Sequence, residues 1–344
     1  MTDCYNEMRN VPIFRPGWQR ALADAITTPE ELLETLGLST ELLAGAREAA
    51  RVFDLRVPRS FVARMRRGDA NDPLLRQVFP LGEELHETEG YSADPLEEAA
   101  ARRAPGLMQK YPGRALLITT EACAVHCRYC FRREFPYSEQ GDSGGSRWSA
   151  ALEAIARDES LEEVILSGGD PLSLSDARLA QLTNAIGRIA HIRRLRIHTR
   201  QPIVLPARVD AGLLAWLGGI RIPVVMVLHA NHPNEIDAEV RAACTALRST
   251  GVTLLNQSVL LRGVNDDLDT LERLSTTLAD ASVMPYYLHL MDRVRGTAHF
   301  DVPEAKAREL IRGLGARLSG YLVPRLVREV PGADSKVPVP GAPC

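Results

Sequence analysis

Lysine is scarce in this 344-residue chain: Lys110, Lys306 and Lys336 are the only lysines among 41 basic residues. Chemistry that needs a lysine nucleophile, such as attachment of pyridoxal phosphate (PLP), must therefore use one of these three side chains. Excess charge is also missing, because 44 acidic residues leave a net charge of −3. That balance gives no electrostatic reason to expect binding to nucleic acid or to a membrane surface.

Long apolar runs are absent as well. The longest apolar stretches, residues 211–220 and 222–228, are far shorter than the roughly 20 residues that span a bilayer. The first residues include Asp3 and Glu7 and contain no apolar core of the signal-peptide type. We therefore expect a soluble, cytoplasmic protein. The length of 344 residues indicates two to three domains, or one large α/β barrel with an appendage.

A disulfide framework is not indicated either. Three of the six cysteines, at positions 4, 244 and 344, are scattered along the chain. Scattered cysteines are typical of proteins from a reducing compartment, where disulfides are rare.

The other three cysteines, Cys123, Cys127 and Cys130, lie within eight residues at C-x3-C-x2-C spacing. An apolar run at 115–120 predicts a buried strand before them, so they belong on the loop at its carboxyl end, where α/β folds place their chemistry. Closely spaced thiolates favour zinc or an iron–sulfur cluster. Three thiolates on a four-iron cluster leave one iron open, whereas structural zinc needs a fourth ligand. Spacing neither requires nor excludes His126 as that ligand.

The loop also contains Glu121, His126 and Arg128, whose side chains are polar or charged. This composition disfavours the alternative that the three cysteines are ordinary residues of an apolar core.

Strands and helices alternate from about residue 107 onward. Predicted strands are 115–119, 163–167, 195–199, 223–229, 253–259 and 284–290, and predicted helices lie near 148–158, 176–190, 209–217, 235–249, 267–280 and 303–318. Alternation predicts parallel βαβ units, and six units are fewer than the eight of a closed barrel. We therefore expect an α/β fold with an open, partial (β/α)6 barrel at 106–302, a helical region at 1–105, and a helix and tail at 303–344.

The N-terminal region contains helix signals but no residues to which we assign chemistry. Thr28-Pro-Glu-Glu predicts a capped helix start, and residues 59–65 and 73–78 are shorter helical candidates. The acidic segment 93–98, Ala-Asp-Pro-Leu-Glu-Glu, is interpreted as a linker or a lid, and the residues alone favour a solvated connector.

A second motif, Ser167-Gly168-Gly169-Asp170, follows the second predicted strand. Paired glycines let the backbone approach a ligand, and their amides can bind a carboxylate. On its own this pattern is typical of an ordinary tight turn.

The three lysines differ in their surroundings. Lys336 lies in a turn-rich tail, where a solvated side chain is the simplest interpretation, although a desolvated lysine could hold PLP. Lys306 lies in a charged helical stretch and is expected to be solvated. Lys110 precedes Tyr111-Pro-Gly-Arg114, directly before the first strand, and could contact an anion.

The cysteine loop, with Tyr129 before its last cysteine, resembles the cluster loop of radical S-adenosylmethionine (SAM) enzymes, and the Ser-Gly-Gly-Asp turn resembles their SAM-binding motif. Over nearly its whole length the chain resembles the PLP-dependent lysine 2,3-aminomutases, most closely the branch that makes β-lysine for modification of bacterial elongation factor P. The segments that carry this resemblance are 55–61, 72–77, 105–111, 123–137, 256–261 and 284–289.

The resemblance implies roles for individual residues. A [4Fe-4S] cluster with SAM on its open iron would be bound by Cys123, Cys127 and Cys130. Residues expected at the SAM site are Ser167, Gly168, Gly169, Asp170 and Gln257, with His229 as a weaker candidate. Lys336 would hold PLP, and residues expected near its phosphate are Lys110, Tyr111 and Arg114. Arg132 would bind the substrate carboxylate as a bidentate fork, and the ε-ammonium would be received by Asp292 and Glu329.

Some of these residues have simpler alternatives. Arg132 could be a surface residue like its neighbour Arg133, and Asp292 could pair with a nearby arginine, Arg293 or Arg295. His229 and a second histidine at position 232 could form a metal pair, although a structural role is equally compatible with a strand end.

The chain departs from the family pattern in three places. Glu329 stands where free-lysine aminomutases usually carry Asp, which changes the reach of the carboxylate. The segment before Lys336 is Gly-Ala-Asp-Ser rather than a run of glycines. The Cys-rich zinc-binding extension of the longer aminomutases does not follow, so we expect no zinc.

The resemblance implies an isomerase that converts L-α-lysine to β-lysine, as the R isomer, with the cluster, SAM and PLP as cofactors. An external electron donor such as flavodoxin or ferredoxin, a functional link to elongation factor P and its lysyl-ligase, and a homo-oligomer are expected; nucleic acid and membrane partners are not. The alternatives are a PLP-free radical SAM enzyme that modifies RNA or a peptide, and a zinc-bearing interaction protein.

Overall fold

The computed structural model describes residues 17–137 and 148–340. In this part of the chain ten strands form one sheet whose spatial order follows the chain order. The strands are β1 (Arg102–Ala104), β2 (Leu107–Tyr111), β3 (Arg114–Thr120), β4 (Glu163–Gly168), β5 (Arg194–Thr199), β6 (Val224–Leu228), β7 (Thr253–Val259), β8 (Met284–His289), β9 (Arg325–Arg328) and β10 (Val337–Pro338).

The seven strands from β3 to β9 run parallel, and the antiparallel strands β1, β2 and β10 extend the two edges. The outermost strands, β1 and β10, are not paired with each other, so the sheet stays open. Residues from β3 to β9 nevertheless line one cavity, because the sheet curves around it. The expectation of an open, partial α/β barrel is confirmed.

Helices connect these parallel strands. They are α6 (Ser149–Arg157), α7 (Asp176–Ile186), α8 (Gln201–Val204), α9 (Ala211–Gly218), α10 (Ala238–Ser249), α11 (Leu268–Asp280) and α12 (Glu304–Arg317). Their apolar faces pack on the convex side of the sheet, and the main core includes Leu179, Leu195, Leu213 and Leu254. None of the helices in residues 17–137 and 148–340 has the length and apolar character to cross a membrane.

All six predicted strands are confirmed, as are the predicted helices between them and α12. Four strands were missed: β1, β2, β9 and β10. They have two to five residues, and edge pairing rather than an apolar run of their own holds them in place. Strand β9 makes a seventh parallel strand. Strand β1 places residues 102–104 in the sheet, ahead of the boundary expected after residue 105.

Within the described residues, which begin at residue 17, five α-helices precede the sheet: α1 (Gly17–Ala23), α2 (Pro29–Leu36), α3 (Leu43–Val52), α4 (Arg59–Val62) and α5 (Pro73–Arg76). Thr28 caps α2 as predicted, whereas α4 and α5 end earlier than expected. Their apolar cluster also includes Ala124 and Val125 from the cysteine loop and Val204 and Leu205 after β5. The N-terminal helices therefore pack directly against the cysteine loop.

Two of the scattered cysteines, Cys4 and Cys344, and the acidic residues Asp3 and Glu7 lie outside the described residues. Cys244 is buried in α10 as a free thiol.

Candidate active site

One cavity of about 550 Å³ lies on the concave side of the sheet, at the carboxyl ends of the parallel strands. Strand periodicity decides which side chains reach it. In β7, Leu254, Asn256 and Ser258 are buried, whereas Gln257 and Val259 are half-buried and line the cavity. The cysteine loop after β3 and Lys336 before β10 line the same cavity, although more than 200 residues separate them in the chain.

Cys123, Cys127 and Cys130 all line this cavity. Burial, with a smaller contribution from Cys127, raises the pKa of the Cys130 thiol to about 11. Among residues 17–137 and 148–340, no group of three or more His, Cys, Asp or Glu side chains could hold a single metal ion. A four-iron cluster binds each thiolate at a different iron, so its ligands stand farther apart than those of one ion. The ligands of one cluster must border a common space, and all three thiols line this cavity.

His126 points away from the cavity. Its Nδ1 lies 2.9 Å from the carbonyl oxygen of Asp54, and its ring stacks on Phe53. The ring does not line the cavity. A zinc site that uses His126 as its fourth ligand is therefore not supported.

Arg128 is fully buried, although we counted it among the residues that make the cysteine loop polar. Its Nε and Nη2 donate to the two carboxylate oxygens of Glu84 at 2.9 and 2.5 Å, and its Nη1 donates to the carbonyl oxygen of Phe53 at 2.7 Å. Arg133 also donates to Glu84, at 2.7 Å. These bonds fix the cysteine loop to the N-terminal region.

Gly168 and Gly169 approach the cysteine loop closely. A Cβ at Gly168 would lie 2.7 Å from the Thr120 carbonyl oxygen, and one at Gly169 would lie 2.6 Å from that of Ala122. The backbone φ of Gly168 is 111°, a conformation that would be strained for a residue with a side chain. The glycines are thus required by contact with the loop itself, in addition to any ligand that they meet.

The Asp170 carboxylate is occupied by protein donors. It accepts hydrogen bonds from the backbone N–H groups of Leu172, Arg200 and Gln201 and from the Thr199 hydroxyl. Asp170 lines the cavity, but its carboxylate mainly ties the turn after β4 to the turn after β5.

Arg132 is buried, so the surface alternative is wrong. Its Nε and Nη2 each donate to Glu98 at 2.8 Å, and its Nη1 donates to the Ser167 hydroxyl at 3.1 Å. Lys110 also pairs with Glu98, at 3.0 Å. Burial alone would raise the pKa of Glu98, but these two cations offset it and the pKa is lowered. The interpretation of residues 93–98 as a solvated connector is therefore wrong for Leu96 and Glu98, which are buried and line the cavity.

Three histidines, His198, His229 and His289, line the cavity. Gln257 Nε2 lies 3.0 Å from Nε2 of His229, and burial lowers the pKa of His229 to about 3. Burial also lowers the pKa of His198 and His289, whose buried Nε2 atoms have no hydrogen-bond partner within residues 17–137 and 148–340. These neutral rings can bond to a ligand in the cavity.

His232 does not share a metal site with His229. Its Nδ1 accepts a hydrogen bond from the Asn234 N–H at 3.1 Å, and its ring does not line the cavity. The structural interpretation is correct for His232.

Lys336 turns inward, so its interpretation as a solvated tail lysine is wrong. Its Nζ pairs with Glu329 and lies 5.7 Å from the ring centre of Tyr287. Glu329 also accepts a hydrogen bond from the Tyr111 hydroxyl at 2.8 Å and lies 3.8 Å from Lys110 Nζ. Burial would raise the pKa of Glu329, but Lys336 and Lys110 offset it and the pKa is lowered.

Asp292 lines the cavity without an ion-pair partner in the described parts of the chain. The arginines that we considered as partners bond elsewhere: Arg293 pairs with Asp301 and Arg295 with Glu134. Burial and the neighbouring Glu329 raise the pKa of Asp292, Lys336 opposes the rise, and the resulting pKa is about 7. A cation that entered this part of the cavity would stabilise the ionised carboxylate.

The remaining two candidates, Arg114 and Lys306, lie in different surroundings. Arg114 lines the cavity, stacks on Tyr111 with its guanidinium carbon 4.6 Å from the ring centre, and has no acidic partner within the described residues. Lys306 is on the surface, paired with Asp266 at 2.6 Å, as expected.

Sequence reasoning missed several residues that line the cavity, namely Glu98, His198, Arg200, Tyr287 and His289. Strand alternation could have identified His198 and Tyr287, which occupy inward positions of predicted strands. No local signal distinguishes Glu98 from its exposed neighbour Glu97.

Comparison with known proteins identifies relatives of the chain. Residues 117–274 match the family model described as the radical SAM superfamily. An L-lysine 2,3-aminomutase of Escherichia coli (strain K12) is 51% identical over 94% of this chain and 95% of its own. Proteins of that name from Haemophilus influenzae and Clostridium subterminale are 44% and 36% identical, each over 94% of this chain and over 96% and 77% of their own lengths.

Proposed function

The chain belongs to the L-lysine 2,3-aminomutase family of radical SAM isomerases, and from that premise we propose that it converts L-α-lysine to β-lysine with PLP as a further cofactor. Membership of the radical SAM superfamily implies a [4Fe-4S] cluster and SAM. The R configuration of the product is part of the proposal.

One observation carries this proposal: a single cavity contains the three thiols and the inward-pointing Lys336. A radical SAM enzyme without PLP has no evident need for a buried lysine beside two carboxylates. Burying Lys336 requires a partner, which Glu329 provides. This arrangement favours a lysine kept for chemistry over one kept for solubility.

The cofactor sites follow from the residues that line the cavity. The cluster would be held by Cys123, Cys127 and Cys130. SAM would be contacted by Ser167, Gly168, Gly169, Asp170, Gln257 and His229. Lys336 would hold PLP, with its phosphate near Lys110, Tyr111 and Arg114. When bound, the reduced cluster with SAM supplies a radical that takes hydrogen from carbon, and PLP carries the migrating amino group.

The substrate would be held at both ends. Glu98 accepts from Nε and Nη2 of Arg132, and Ser167 accepts from Nη1. The carboxylate of lysine would use the remaining N–H groups of Nη1 and Nη2. Asp292 and Glu329 would receive the ε-ammonium. Glu329 already pairs with Lys336 and lies near Lys110, whereas Asp292 has no ion-pair partner among the described residues. The ε-ammonium of the substrate would supply that partner.

We also propose the division into a helical region (1–105), a barrel (106–302) and a helix with the PLP lysine (303–344). The resemblance supports further proposals about the cellular setting: a flavodoxin- or ferredoxin-type electron donor, a cytoplasmic homo-oligomer, and delivery of β-lysine to elongation factor P through its lysyl-ligase.

The test is anaerobic reconstitution with iron, sulfide and PLP, followed by incubation with SAM, a reductant and L-lysine, and chromatography of the lysine isomers. We expect β-lysine from the wild type and from Lys306→Ala, and none from Lys336→Ala. The Lys336→Ala variant should keep its iron and sulfide but lose the absorbance of bound PLP, because neither other lysine is free to replace Lys336.

Two results would contradict the proposal. Metal analysis that finds zinc in place of iron and sulfide would contradict the proposal that the three thiols bind a [4Fe-4S] cluster. Formation of β-lysine by Lys336→Ala, or without PLP, would remove the assigned role of this lysine.

A further inference from the structure

Arg200 follows β5 directly and is buried against the cysteine loop, with only 5% of its surface exposed. Its Nη1 donates a hydrogen bond to Sγ of Cys127 at 2.7 Å. Its guanidinium also lies over the rings of Phe61 and Tyr129, with its carbon 5.4 and 5.6 Å from the ring centres.

Two fully buried side chains hold the other end of this guanidinium. Nη2 of Arg200 donates to Gln77 Oε1 at 2.7 Å and to Glu235 Oε2 at 3.0 Å. Gln77 ends α5, and Glu235 follows β6, so Arg200 is held between the N-terminal helices and the sheet. The Gln77 amide also donates to Glu235 at 3.1 Å. Arg200 therefore has little freedom to turn away from the sulfur.

Arg200 differs from the other buried arginines near the loop in how its charge is neutralised. Arg128 and Arg132 each direct two nitrogens at one carboxylate. Arg200 directs one nitrogen at Glu235 and the other at Cys127, and its buried Nε has no partner among the described residues. Part of its positive charge is thus available to the sulfur.

Hydrogen bonds to the sulfurs and nearby net charge are among the factors that set the reduction potential of an iron–sulfur cluster. Reduction adds one negative charge, and a buried cation that bonds to a ligand sulfur stabilises that charge. We propose that Arg200 is a positioning residue that raises the reduction potential of the cluster through Cys127 and so makes it easier to reduce. This inference rests on the proposed function only in that Cys127 must bind the cluster.

The experiment uses the full chain, reconstituted anaerobically without SAM, and follows cluster reduction by electron paramagnetic resonance at controlled potentials. The Arg200→Gln/Glu235→Gln variant removes the cation without leaving a buried carboxylate unpaired. We expect its ratio of reduced to oxidised cluster to fall about tenfold at a fixed potential, which corresponds to about 59 mV for one electron. Arg200→Lys keeps the positive charge but loses the forked guanidinium. Its ratio of reduced to oxidised cluster should lie between that of this variant and that of the wild type.

Glu235→Gln alone makes the test sharper, because it should move the potential in the opposite direction. This change leaves the charge of Arg200 unbalanced, so the cluster should become easier to reduce. The matched control is Arg208→Gln/Asp176→Asn, which removes another buried arginine and its carboxylate, an ion pair bonded to the turn after β4 and not to a cysteine. We expect no change of potential in this control.

Iron and sulfide contents separate the possible failures. Wild-type protein that binds no iron would contradict the proposed function itself. Variants with full iron content and an unchanged potential, or equal shifts in Arg200→Gln/Glu235→Gln and in the Arg208 control, would overturn the role of Arg200 and leave the proposed function standing. Opposite shifts from the Arg200 and Glu235 changes would not arise from general loosening of the fold.

Discussion

The two ends of the cavity differ in how completely their charges are paired. Around the cysteine loop, Arg128 and Arg133 both contact Glu84, and Arg132 contacts Glu98. At the other end, Glu329 is shared by Lys336, Lys110 and Tyr111, and Asp292 has no ion-pair partner in the described residues. Buried ion pairs hold the loop, whereas Asp292 at the lysine end lacks an ion-pair partner, which a ligand can supply.

This difference has a physical basis. A cluster needs three thiols at fixed positions, and buried ion pairs resist displacement because separating them is costly. A substrate must enter and leave, so its binding groups cannot all be neutralised by the protein. Changes at the two ends should therefore have different effects: on folding at the cysteine loop and on ligand affinity at the lysine end.

The largest effect on folding is expected from Glu84→Ala. This change leaves two buried guanidiniums, those of Arg128 and Arg133, without their carboxylate. We expect the free energy of unfolding to fall by about 3–5 kcal/mol, measured by urea denaturation of the metal-free protein.

The control for this prediction is Glu83→Ala, at an exposed neighbouring position, which should change stability by less than about 0.5 kcal/mol. Equal stability of Glu84→Ala and wild type would show that the cysteine loop is not held by these ion pairs.

Asp292→Asn should act on affinity rather than on folding. A partly buried ammonium that loses a charged partner costs on the order of 3–5 kcal/mol, which corresponds to roughly hundredfold to a few thousandfold weaker lysine binding. The absorbance of bound PLP should be preserved. Lysine titration monitored at that absorbance would measure both properties.

Glu329→Asp is the matched comparison, because it keeps the charge and changes only the reach. Its effect on lysine affinity should be far milder than that of Asp292→Asn. Normal lysine binding by Asp292→Asn would mean that this carboxylate does not contact the ε-ammonium.

The smallest expected effect is on pH dependence. The raised pKa of Asp292, about 7, means that its carboxyl group is largely protonated below that pH in the absence of substrate. Binding of an ammonium favours the ionised form, so lysine must displace a proton at lower pH. Affinity should therefore fall as the pH drops below about 7, by up to about tenfold per pH unit.

Lysine titrations on either side of neutral pH would check this expectation, and Asp292→Asn, measured at raised lysine concentration, should lose the dependence. A wild-type affinity that stays constant or rises on acidification would contradict it.

Predictions from the sequence succeeded where the signal is local. Spacing identified Cys123, Cys127 and Cys130 as one group, and alternation located all six predicted strands. They failed where a residue's environment depends on a distant segment. Glu98 and Arg128 lie in stretches that look polar and solvated, yet each is buried against a partner more than 30 residues away.

The sequence alone determined the repeating βα architecture, since strand and helix periodicity depends only on which residues alternate along the chain. It also determined the cysteine loop, because a cluster motif needs three thiols at short, fixed intervals. Only the tertiary structure decided that Lys336 lines the same cavity as those thiols, that Arg132 bonds to Glu98, and that Asp292 has no ion-pair partner among the described residues. These properties depend on which charged side chains the curved sheet brings together, and burial sets the strength of the interactions between those side chains. No local sequence pattern contains this information.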